Sequence, residues 1–270
     1  MCKEIDYIFS VVKHFKGDFK LFSADSNIPE TLTVTIPRFR HDVVQGHTII
    51  PRLQLDTTKD KITVKVCHVY DLTKFWFHTS DIEKKLSDLT KQMNEFYSSS
   101  TKYYQIATYN MRKGLYCAVL YGKQFHRCII VDMLPELTDS VKVFFIDNGK
   151  TDYVNVKNIH FLHELFQEPN AMALRGNLTQ VKPVGLNMPW PPEAVKVFEY
   201  LVMQKSLQAI VTETKEVESG EYEYSLDLSD RSTEKCVCIH EELINAGLAI
   251  DINQKQDEAK VTNTLLTMIR

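Results

Sequence analysis

The sequence lacks the features of a membrane-spanning, secreted or polyanion-binding protein. No apolar run approaches the ~18 residues that a transmembrane helix needs, and Met1–Asp6 mixes charges and contains no hydrophobic signal-peptide core. The net charge is −3 and there is no block of basic residues, so a cationic partner suits the chain better than a polyanion. Gly-rich phosphate loops, HExxH motifs and nucleophile elbows do not occur, which leaves no recognised catalytic motif.

The cysteines also lack the spacing of a recognised metal site. The six cysteines form no CxxC pair, and Cys236 and Cys238 make an isolated CxC with no histidine in zinc-finger register. We therefore predict reduced, mostly buried thiols in an intracellular protein, with no metal and no cofactor.

What is present is enough apolar material for a sizeable core. The chain has 270 residues, 44% of them hydrophobic, which permits one or two domains. Apolar residues alternate with polar ones over 61–67, and Phe75–His78 forms a second short run, so the two predict a hairpin. Ser80–Glu83 has the pattern of a capping box, and the apolar residues that follow at spacings of three and four predict a helix of about 17 residues ending near Ser98–Ser100.

The flanking segments are less uniform. In the first 57 residues, apolar positions from Ile5 to Phe15 have helical spacing, whereas Phe19–Phe22 and Leu32–Ile36 resemble strands. Towards the other end, Pro189–Glu193 opens a helix with proline at its first positions. Strands over 207–212 and 222–228 and a helix over 239–246, capped by Gly247 in the left-handed conformation, complete the pattern.

The middle of the chain carries the most specific motif. Cys117–Leu120, Phe125–Cys128, Phe144–Gly149 and Asp152–Val156 are short apolar runs separated by polar or glycine-bearing turns, which is typical of a small antiparallel barrel. The order of side chains, ending in a β-run followed by Asp-x-Gly, resembles the core of a Tudor domain. Tudor domains read arginine- or lysine-bearing peptide tails, often methylated.

Together with its flanks, this core resembles an extended Tudor domain over about 60–252. That family implies a mainly β fold with helices (α+β), in which a Tudor SH3-like barrel is inserted into a split staphylococcal-nuclease-like (SN-like) OB-fold module and a long helix joins the two. The implied organisation is an N-terminal extension (1–57), a first SN-like segment with the linker helix (58–100), the Tudor core (101–165), a second SN-like segment (166–255) and a tail (256–270).

The resemblance implies a peptide site on the barrel. The positions that correspond to peptide-binding residues are Leu120, His126, Phe145, Asn148, Lys150 and Asp152, with Tyr121 and Tyr153 flanking the cleft. The family usually has aromatics at Leu120, His126 and Asn148, and these form a cage around the methylated cation; of that cage only Phe145 is retained. With one aromatic wall the cation–π contribution falls to roughly 0.5–1 kcal/mol, which predicts little preference for methylated arginine.

Polar groups at the same site favour unmodified arginine. An unmethylated guanidinium offers five N–H donors, which acceptors such as Asn148 or Asp152 satisfy better than an aromatic box. Lys150 stands where the family has an asparagine, and it would repel arginine unless its long stem carries the ammonium into solvent. Arg127 and Asp147 occupy paired positions of the family and are expected to brace two strands rather than touch a ligand.

The family implies a function and a place in the cell. Extended Tudor domains of germline proteins recruit Piwi-type Argonautes through arginine-rich N-terminal tails in the piRNA pathway, and the altered cage is similar to that of Krimper-like members. We therefore expect a non-catalytic adaptor for such a tail, with weak or no binding of nucleic acid and no membrane association. The expected location is the cytoplasm, in perinuclear germ granules (nuage).

Two alternatives stay open beside this one. The first is a structural or scaffold Tudor domain without peptide binding. The second is an RNA-binding OB module, for which Phe75, Trp76 and Phe77 offer rings on which bases could stack. Nuclease activity is disfavoured because Asp227 and Asp230 lack partners at readable spacing, and staphylococcal-type hydrolysis needs clustered carboxylates for a metal.

Overall fold

Two barrels joined by one long helix make up the portion of the chain that the computed structural model describes, which is residues 42–44, 48–133, 139–185, 188–218, 220–232 and 234–252. By internal contacts the chain divides into 1–40 and 41–270, and all described residues lie in the second unit. The helices are α1 (Ser80–Tyr104), α2 (Pro192–Val202) and α3 (Ile239–Asn245). The strands are β1 (Ile62–Asp71), β2 (Lys74–Thr79), β3 (Tyr116–Tyr121), β4 (Gln124–Met133), β5 (Ser140–Phe145), β6 (Thr151–Asn155), β7 (Ile159–Phe161), β8 (Leu174–Leu178), β9 (Val181–Pro183), β10 (Leu207–Glu218), β11 (Glu221–Asp230), β12 (Val237–Cys238) and β13 (Ala249–Asp251).

The first barrel, which we call the split barrel, draws its strands from both sides of an insertion. Its strands follow the order β10-β1-β2-β8-β11, and β10 also pairs with β11, which closes the ring. A closed five-stranded barrel is the architecture of the OB fold. Since β1 and β2 precede the insertion and the other three strands follow it, neither segment closes alone. The predicted split module is confirmed.

The second barrel, which we call the inserted barrel, consists of five antiparallel strands in the order β6-β5-β4-β3-β7. Alternate residues of three strands fill its interior, among them Cys117, Cys128 and Phe145. The sheet is small and strongly curved, as the short apolar runs of the sequence predict. The expected mainly β architecture with an SH3-like barrel is therefore confirmed.

Helix α1 links the barrels and differs from its prediction at both ends. The helix begins one residue after Thr79, whose hydroxyl donates to Asp81 Oδ1 at 2.6 Å and caps no backbone group, so the predicted capping box is wrong. The helix has 25 residues instead of about 17. It continues through the serines because Ser98 and Ser99 turn their hydroxyls onto the carbonyls of the preceding turn, that is, those of Asn94 and Phe96.

The C-terminal half of α1 docks on the inserted barrel through Tyr97. This fully buried ring stacks on Phe125 at a centroid distance of 4.7 Å, and its hydroxyl donates to the carbonyl of Phe161 at 2.7 Å. Asn94 Oδ1 accepts the backbone N–H of Phe125 at 2.8 Å, one turn earlier. Within the described ranges, none of the helices combines the length and apolarity needed to span a membrane.

Trp76 of β2 lies at the junction of the two barrels. Its ring contacts Phe144 of the inserted barrel at 5.4 Å, and the Arg52 guanidinium lies 4.7 Å from the ring centroid. A Cβ on Gly149 would lie 1.9 Å from Trp76 Cγ, and the φ of Gly149 is +78°, so only glycine fits at this position. Trp190, just before α2, is buried in the larger core cluster.

The terminal expectations fall partly outside the described residues. The helix over Ile5–Phe15 and the strands Phe19–Phe22 and Leu32–Ile36 lie entirely outside them. The nearest described residues, Val43 and Val44, are buried in the larger core cluster. At the other end α2 and α3 form where predicted, and Gly247 has a φ of +69°, as its capping role requires. The strands predicted over 207–212 and 222–228 are longer in the structure, as β10 and β11.

Candidate functional site

Three rings meet on one face of the inserted barrel. Tyr121 contacts the Phe145 ring edge-on at a centroid distance of 5.1 Å, and His126 contacts the same ring edge-on at 5.7 Å. Strand alternation explains why these rings lie together. Tyr121 and His126 are an even number of residues from the interior positions Cys117 and Cys128 of their strands, and Phe145 is itself an interior residue. We call these three residues the ring corner. Phe145 itself is only 2% exposed, so its ring forms the floor of this corner.

Leu120 and Tyr153 do not face the ring corner, where the sequence predicts them. Leu120 packs against the larger core cluster, on the side of β3 opposite to Phe145. The structure thus places Tyr121, and not Leu120, beside Phe145, because adjacent residues of a strand face opposite ways. Tyr153 is half exposed and lies under the Lys142 ammonium at 5.8 Å, among residues that face away from the ring corner.

Lys150 brings a positive charge of the chain itself to the ring corner. Its Nζ lies 2.6 Å from Asp152 Oδ2, 2.6 Å from the Tyr121 hydroxyl and 4.5 Å from the Tyr121 ring centroid. The Tyr121 hydroxyl also donates to Asp152 Oδ2 at 2.7 Å. The hydrogen bond from Lys150 lowers the pKa of Asp152, and the same bond raises the pKa of Lys150. The ammonium therefore occupies Asp152, one of the two side-chain acceptors that the sequence assigned to a peptide arginine.

Asn148 is engaged in the turn that precedes β6. Its side-chain carbonyl accepts the backbone N–H of Lys150 at 2.9 Å, which shapes the turn. The side chain borders the cleft described below, but its acceptor oxygen already has a partner. Asn148 thus presents an amide at a position where the family has an aromatic ring.

Arg127 and Asp147 form a buried, bidentate ion pair. Arg127 is 1% exposed, and its Nε and Nη2 donate to the two carboxylate oxygens of Asp147 at 2.9 and 2.6 Å. The remaining guanidinium N–H groups donate to backbone carbonyls of the segment 166–170. The pair thus fixes the segment that leads from the inserted barrel back to the split barrel, and all its donors are used within the chain.

A cleft of about 620 Å³ runs between α1 and the inserted barrel and reaches the ring corner at His126. Three acidic residues line the cleft: Glu95, Glu83, whose carboxylate pairs with Lys65 at 2.9 Å, and Asp147, whose carboxylate pairs with Arg127; Lys91 adds one basic residue. Its full lining is His78, Glu83, Leu86, Ser87, Thr90, Lys91, Asn94, Glu95, Gln124, His126, Asp147 and Asn148. An extended peptide that carries a cation could lie in this cleft and direct that cation towards the ring corner.

The two histidines of the cleft are neutral near pH 7. Burial lowers the pKa of His126, and burial likewise lowers the pKa of His78, whose Nε2 lies 2.6 Å from the carbonyl oxygen of Asp147. Neutral imidazoles do not repel a cationic ligand. The cleft is therefore compatible with a positive group at neutral pH.

The rings proposed for base stacking are not accessible. Phe75, Trp76 and Phe77 are all buried, two in the larger core cluster and Trp76 at the junction of the barrels. Stacking of bases requires an exposed aromatic face. The structure thus removes the feature on which the RNA-binding alternative rested.

Sequence reasoning gave Tyr121 only as a residue flanking the cleft, assigned the cage position to Leu120 instead, and missed the position of the Lys150 ammonium. Tyr121 could have been found from alternation, since it shares the parity of Cys117 and Val119 along β3. No sequence signal places the Lys150 ammonium, because its position depends on the turn Asp147–Lys150 and on a side-chain torsion.

Comparison with known proteins agrees with this architecture. The Tudor domain family model matches residues 56–180. Mouse Tudor domain-containing protein 6 is 25% identical over 198 residues, which cover 73% of this chain and 9% of that relative, so the chain spans a small fraction of the relative's length.

Two solved structures show the same fold. One is extended Tudor domain TD3 of mouse TDRD1 in complex with a MILI peptide containing dimethylarginine 45 (TM-score 0.62, 22% identity, 76% of this chain and 99% of that chain). The other is a variant of the Drosophila melanogaster Papi extended Tudor domain with a Piwi N-terminal peptide unmethylated at arginine 10 (TM-score 0.65, 22% identity, 72% and 100%). Residues 56–180 therefore match the Tudor domain family, and the chain has the fold of an extended Tudor domain.

Proposed function

We propose that this chain is a non-catalytic adaptor that binds an arginine-rich N-terminal tail of a Piwi-type Argonaute with little dependence on arginine methylation. The observation that carries the proposal is the Lys150 ammonium, which lies against the Tyr121 ring and the Asp152 carboxylate. A corner that holds the chain's own cation has the chemistry to hold a ligand's cation in its place. A peptide arginine would displace Lys150 and take over these partners.

The geometry of the corner favours an unmodified guanidinium. The groups that Lys150 now contacts are oxygens of Asp152 and Tyr121, and an arginine would donate N–H groups to the same atoms. Methylation removes donors, and Asn148 offers no aromatic face that would reward the added methyl groups. Phe145 and Tyr121 supply ring surface for one side of the cation, which is worth about 0.5–1 kcal/mol.

The comparisons support an arginine-bearing peptide as the class of ligand. The TDRD1 and Papi domains were solved with peptides of MILI and Piwi, and the Papi peptides include an unmethylated form. The cleft that borders His126 supplies a path for the rest of such a peptide, with carboxylates along it. The same proposal places the protein in perinuclear germ granules, which imaging of tagged protein in germ cells would test.

The same ammonium supports a second candidate, a scaffold Tudor domain that binds no peptide. If Lys150 is held too firmly to be displaced, the corner is permanently filled and the module serves only to position its neighbours. The two candidates differ in one measurable property, which is binding of an arginine peptide at micromolar concentration.

The test is calorimetric titration of the chain with an arginine-rich Piwi-tail peptide, unmodified and symmetrically dimethylated, with the arginine replaced by glutamine as control. The proposal predicts binding of both arginine forms with less than about threefold difference, and none of the control. A preference of about tenfold for dimethylarginine, or about 1.4 kcal/mol, would disprove methylation independence. Absence of all binding would select the scaffold.

A further inference from the structure

A second cluster of reactive side chains lies on the split barrel, where β12 meets α3. Cys238 pairs with Ser229 across the β11–β12 ladder, and His240 and Glu241 follow in the first turn of α3. On β11, Leu226 and Leu228 point into the barrel core, so Asp227 between them points outward. The ladder thus brings Asp227 and His240 together on one outer face.

The ligand-forming atoms of this cluster are close to one another. One such atom from each of Cys238, His240 and Glu241 lies within 4.8 Å of the other two. His240 Nδ1 lies 3.1 Å from Asp227 Oδ1. Two ligand atoms of a tetrahedral zinc ion, with bonds of about 2.0–2.3 Å, are separated by about 3.3–3.8 Å. The ligand atoms of Cys238, His240 and Glu241 are therefore near these separations, and Asp227 joins them through its contact with His240.

Two buried atoms of the cluster lack a hydrogen bond. His240 is 8% exposed, and among the described residues neither its Nδ1 nor Asp227 Oδ1 makes a hydrogen bond, although the two atoms are neighbours. A metal ion between the imidazole nitrogen and the carboxylate oxygen would satisfy both atoms.

We propose that Cys238, His240, Glu241 and Asp227 bind a zinc ion. Thiolate, imidazole and carboxylate are the three ligand types that zinc takes in proteins, and a set of one sulfur, one nitrogen and two oxygens completes a tetrahedron. Two carboxylates beside a thiol also supply the negative charge that a divalent cation requires. The ion ties the start of α3 to β11, and it shares no residue with the ring corner or the cleft.

The sequence hides this site because its ligands come from two separate segments. The CxC motif alone is not a zinc signature, and the histidine follows Cys238 after only one residue, outside the usual finger spacing. Asp227 joins the set only through the pairing of β11 with β12.

The experiment uses the full chain, stripped with a chelator and dialysed, and then titrated with Zn²⁺ against a chromophoric zinc indicator. Co²⁺ serves as a spectroscopic probe, since a cobalt–thiolate bond gives a near-ultraviolet charge-transfer band. The variants are Cys238→Ser, Glu241→Gln and Asp227→Asn, with circular dichroism to verify folding. Cys236→Ser is the matched control, because this exposed thiol lies two residues from Cys238, and Cys2→Ser controls for a thiol outside the described residues.

We expect one zinc ion per chain and a cobalt–thiolate band that Cys238→Ser abolishes and both control variants retain. Each of the three ligand variants should weaken zinc binding by at least about tenfold. Because Glu241 is exposed, Glu241→Gln tests the site even if a more buried variant fails to fold. Lack of stoichiometric zinc binding, equal loss in Cys236→Ser and Cys238→Ser, or unchanged affinity in Glu241→Gln would each overturn the proposal. Unchanged affinity in Asp227→Asn would remove Asp227 from the ligand set.

Discussion

Lys150 Nζ lies 2.6 Å from Asp152 Oδ2, and this ion pair stands at the place where the sequence predicts a bound arginine. Both side chains are about one third exposed, so solvent screens the pair and its contribution to stability is small. An ion pair of such small net strength costs little to exchange for another cation. On the proposed function, binding of arginine at this corner would therefore be a competition between two cations for one carboxylate.

Removing the competitor should strengthen peptide binding. Lys150→Gln frees Asp152 and the Tyr121 ring, and we expect the dissociation constant of the unmodified arginine peptide to fall by about 1.4- to fivefold, equivalent to the 0.2–1 kcal/mol typical of an exposed ion pair. Calorimetry or fluorescence anisotropy measures the change.

Lys142→Gln is the matched control for net charge. Lys142 also lies over a tyrosine ring of the inserted barrel, that of Tyr153, but it faces away from the ring corner. If Lys142→Gln tightens binding as much as Lys150→Gln, the effect is long-range electrostatics and not release of Asp152. Weaker binding in Lys150→Gln would show that the lysine helps to hold the peptide.

Peptide affinity should fall as the pH is lowered. Burial holds the pKa of His126 below its ordinary value of about 6.5, so the ring is neutral above that pH and gains a positive charge only as the pH falls further. A protonated His126 would repel the arginine. We expect the dissociation constant to stay constant above about pH 6.5 and to rise as the pH is lowered from there towards 5, where most carboxylates are still ionised.

His126→Gln should flatten most of this pH dependence. His78 borders the same cleft and burial lowers its pKa as well, so it accounts for the dependence that remains. The measurement is a series of titrations at constant ionic strength. Affinity that increases on acidification would mean that neither histidine faces the bound cation.

The architecture was predictable because it depends on patterns that many residues share. The alternation over 61–67, the helical spacing after Ser80 and the four short runs of the inserted barrel each repeat the same preference several times. The end of α1 was not predictable in this way. Ser98 and Ser99 read as a breaker in sequence, yet within the helix their hydroxyls bond back to carbonyls of the preceding turn.

The site was predictable only as a region. The pattern located Phe145, His126 and the turn after β5, but the choice between Leu120 and Tyr121 depends on which face of β3 meets the barrel interior. Alternation groups Tyr121 with Cys117 and Val119, but that this face of β3 is the interior one follows from how β3 packs within the barrel, which one strand's sequence does not reveal. The position of the Lys150 ammonium depends on a single flexible side chain, for which no repeated pattern exists.

The Asp-x-Gly motif should be more important for stability than for binding. Gly149→Ala forces a Cβ into the Trp76 ring and places alanine at a positive φ, so we expect it to lower the free energy of unfolding by about 2–4 kcal/mol. Gly122→Ala provides the control, because Gly122 has a similar φ of +65° and a Cβ there meets nothing within 4 Å. That variant should cost about 1–2 kcal/mol, the strain alone.

Urea denaturation of the two glycine variants separates the cost of the backbone strain from the cost of the clash with Trp76. Equal destabilisation would show that Trp76 moves aside without cost and that the junction of the barrels is not tightly packed. A larger effect at Gly149 would confirm that the turn of the inserted barrel and β2 of the split barrel unfold together.

A methylarginine cage should be recoverable by three substitutions at the ring corner. His126→Tyr and Asn148→Tyr add rings beside Phe145, and Lys150→Asn removes the internal cation from Tyr121 and restores the residue that the family has there. Because a methylated guanidinium gains attraction from each added ring, we expect the triple variant to prefer the symmetrically dimethylated peptide by about fivefold or more, close to 1 kcal/mol. Asn148→Tyr also loses the hydrogen bond to the Lys150 N–H and should cost about 1 kcal/mol of stability.

Leu120→Phe discriminates between the sequence-based and the structural assignment of this corner. Leu120 packs on the face of β3 opposite to Phe145, so adding a ring there should leave the methylation preference unchanged. If Leu120→Phe alone shifts the preference towards the dimethylated peptide, the side chain reaches the ligand and the assignment of Tyr121 to the cage wall fails. Titrations of the triple variant, of Leu120→Phe and of the unaltered chain with the same two peptides decide between them.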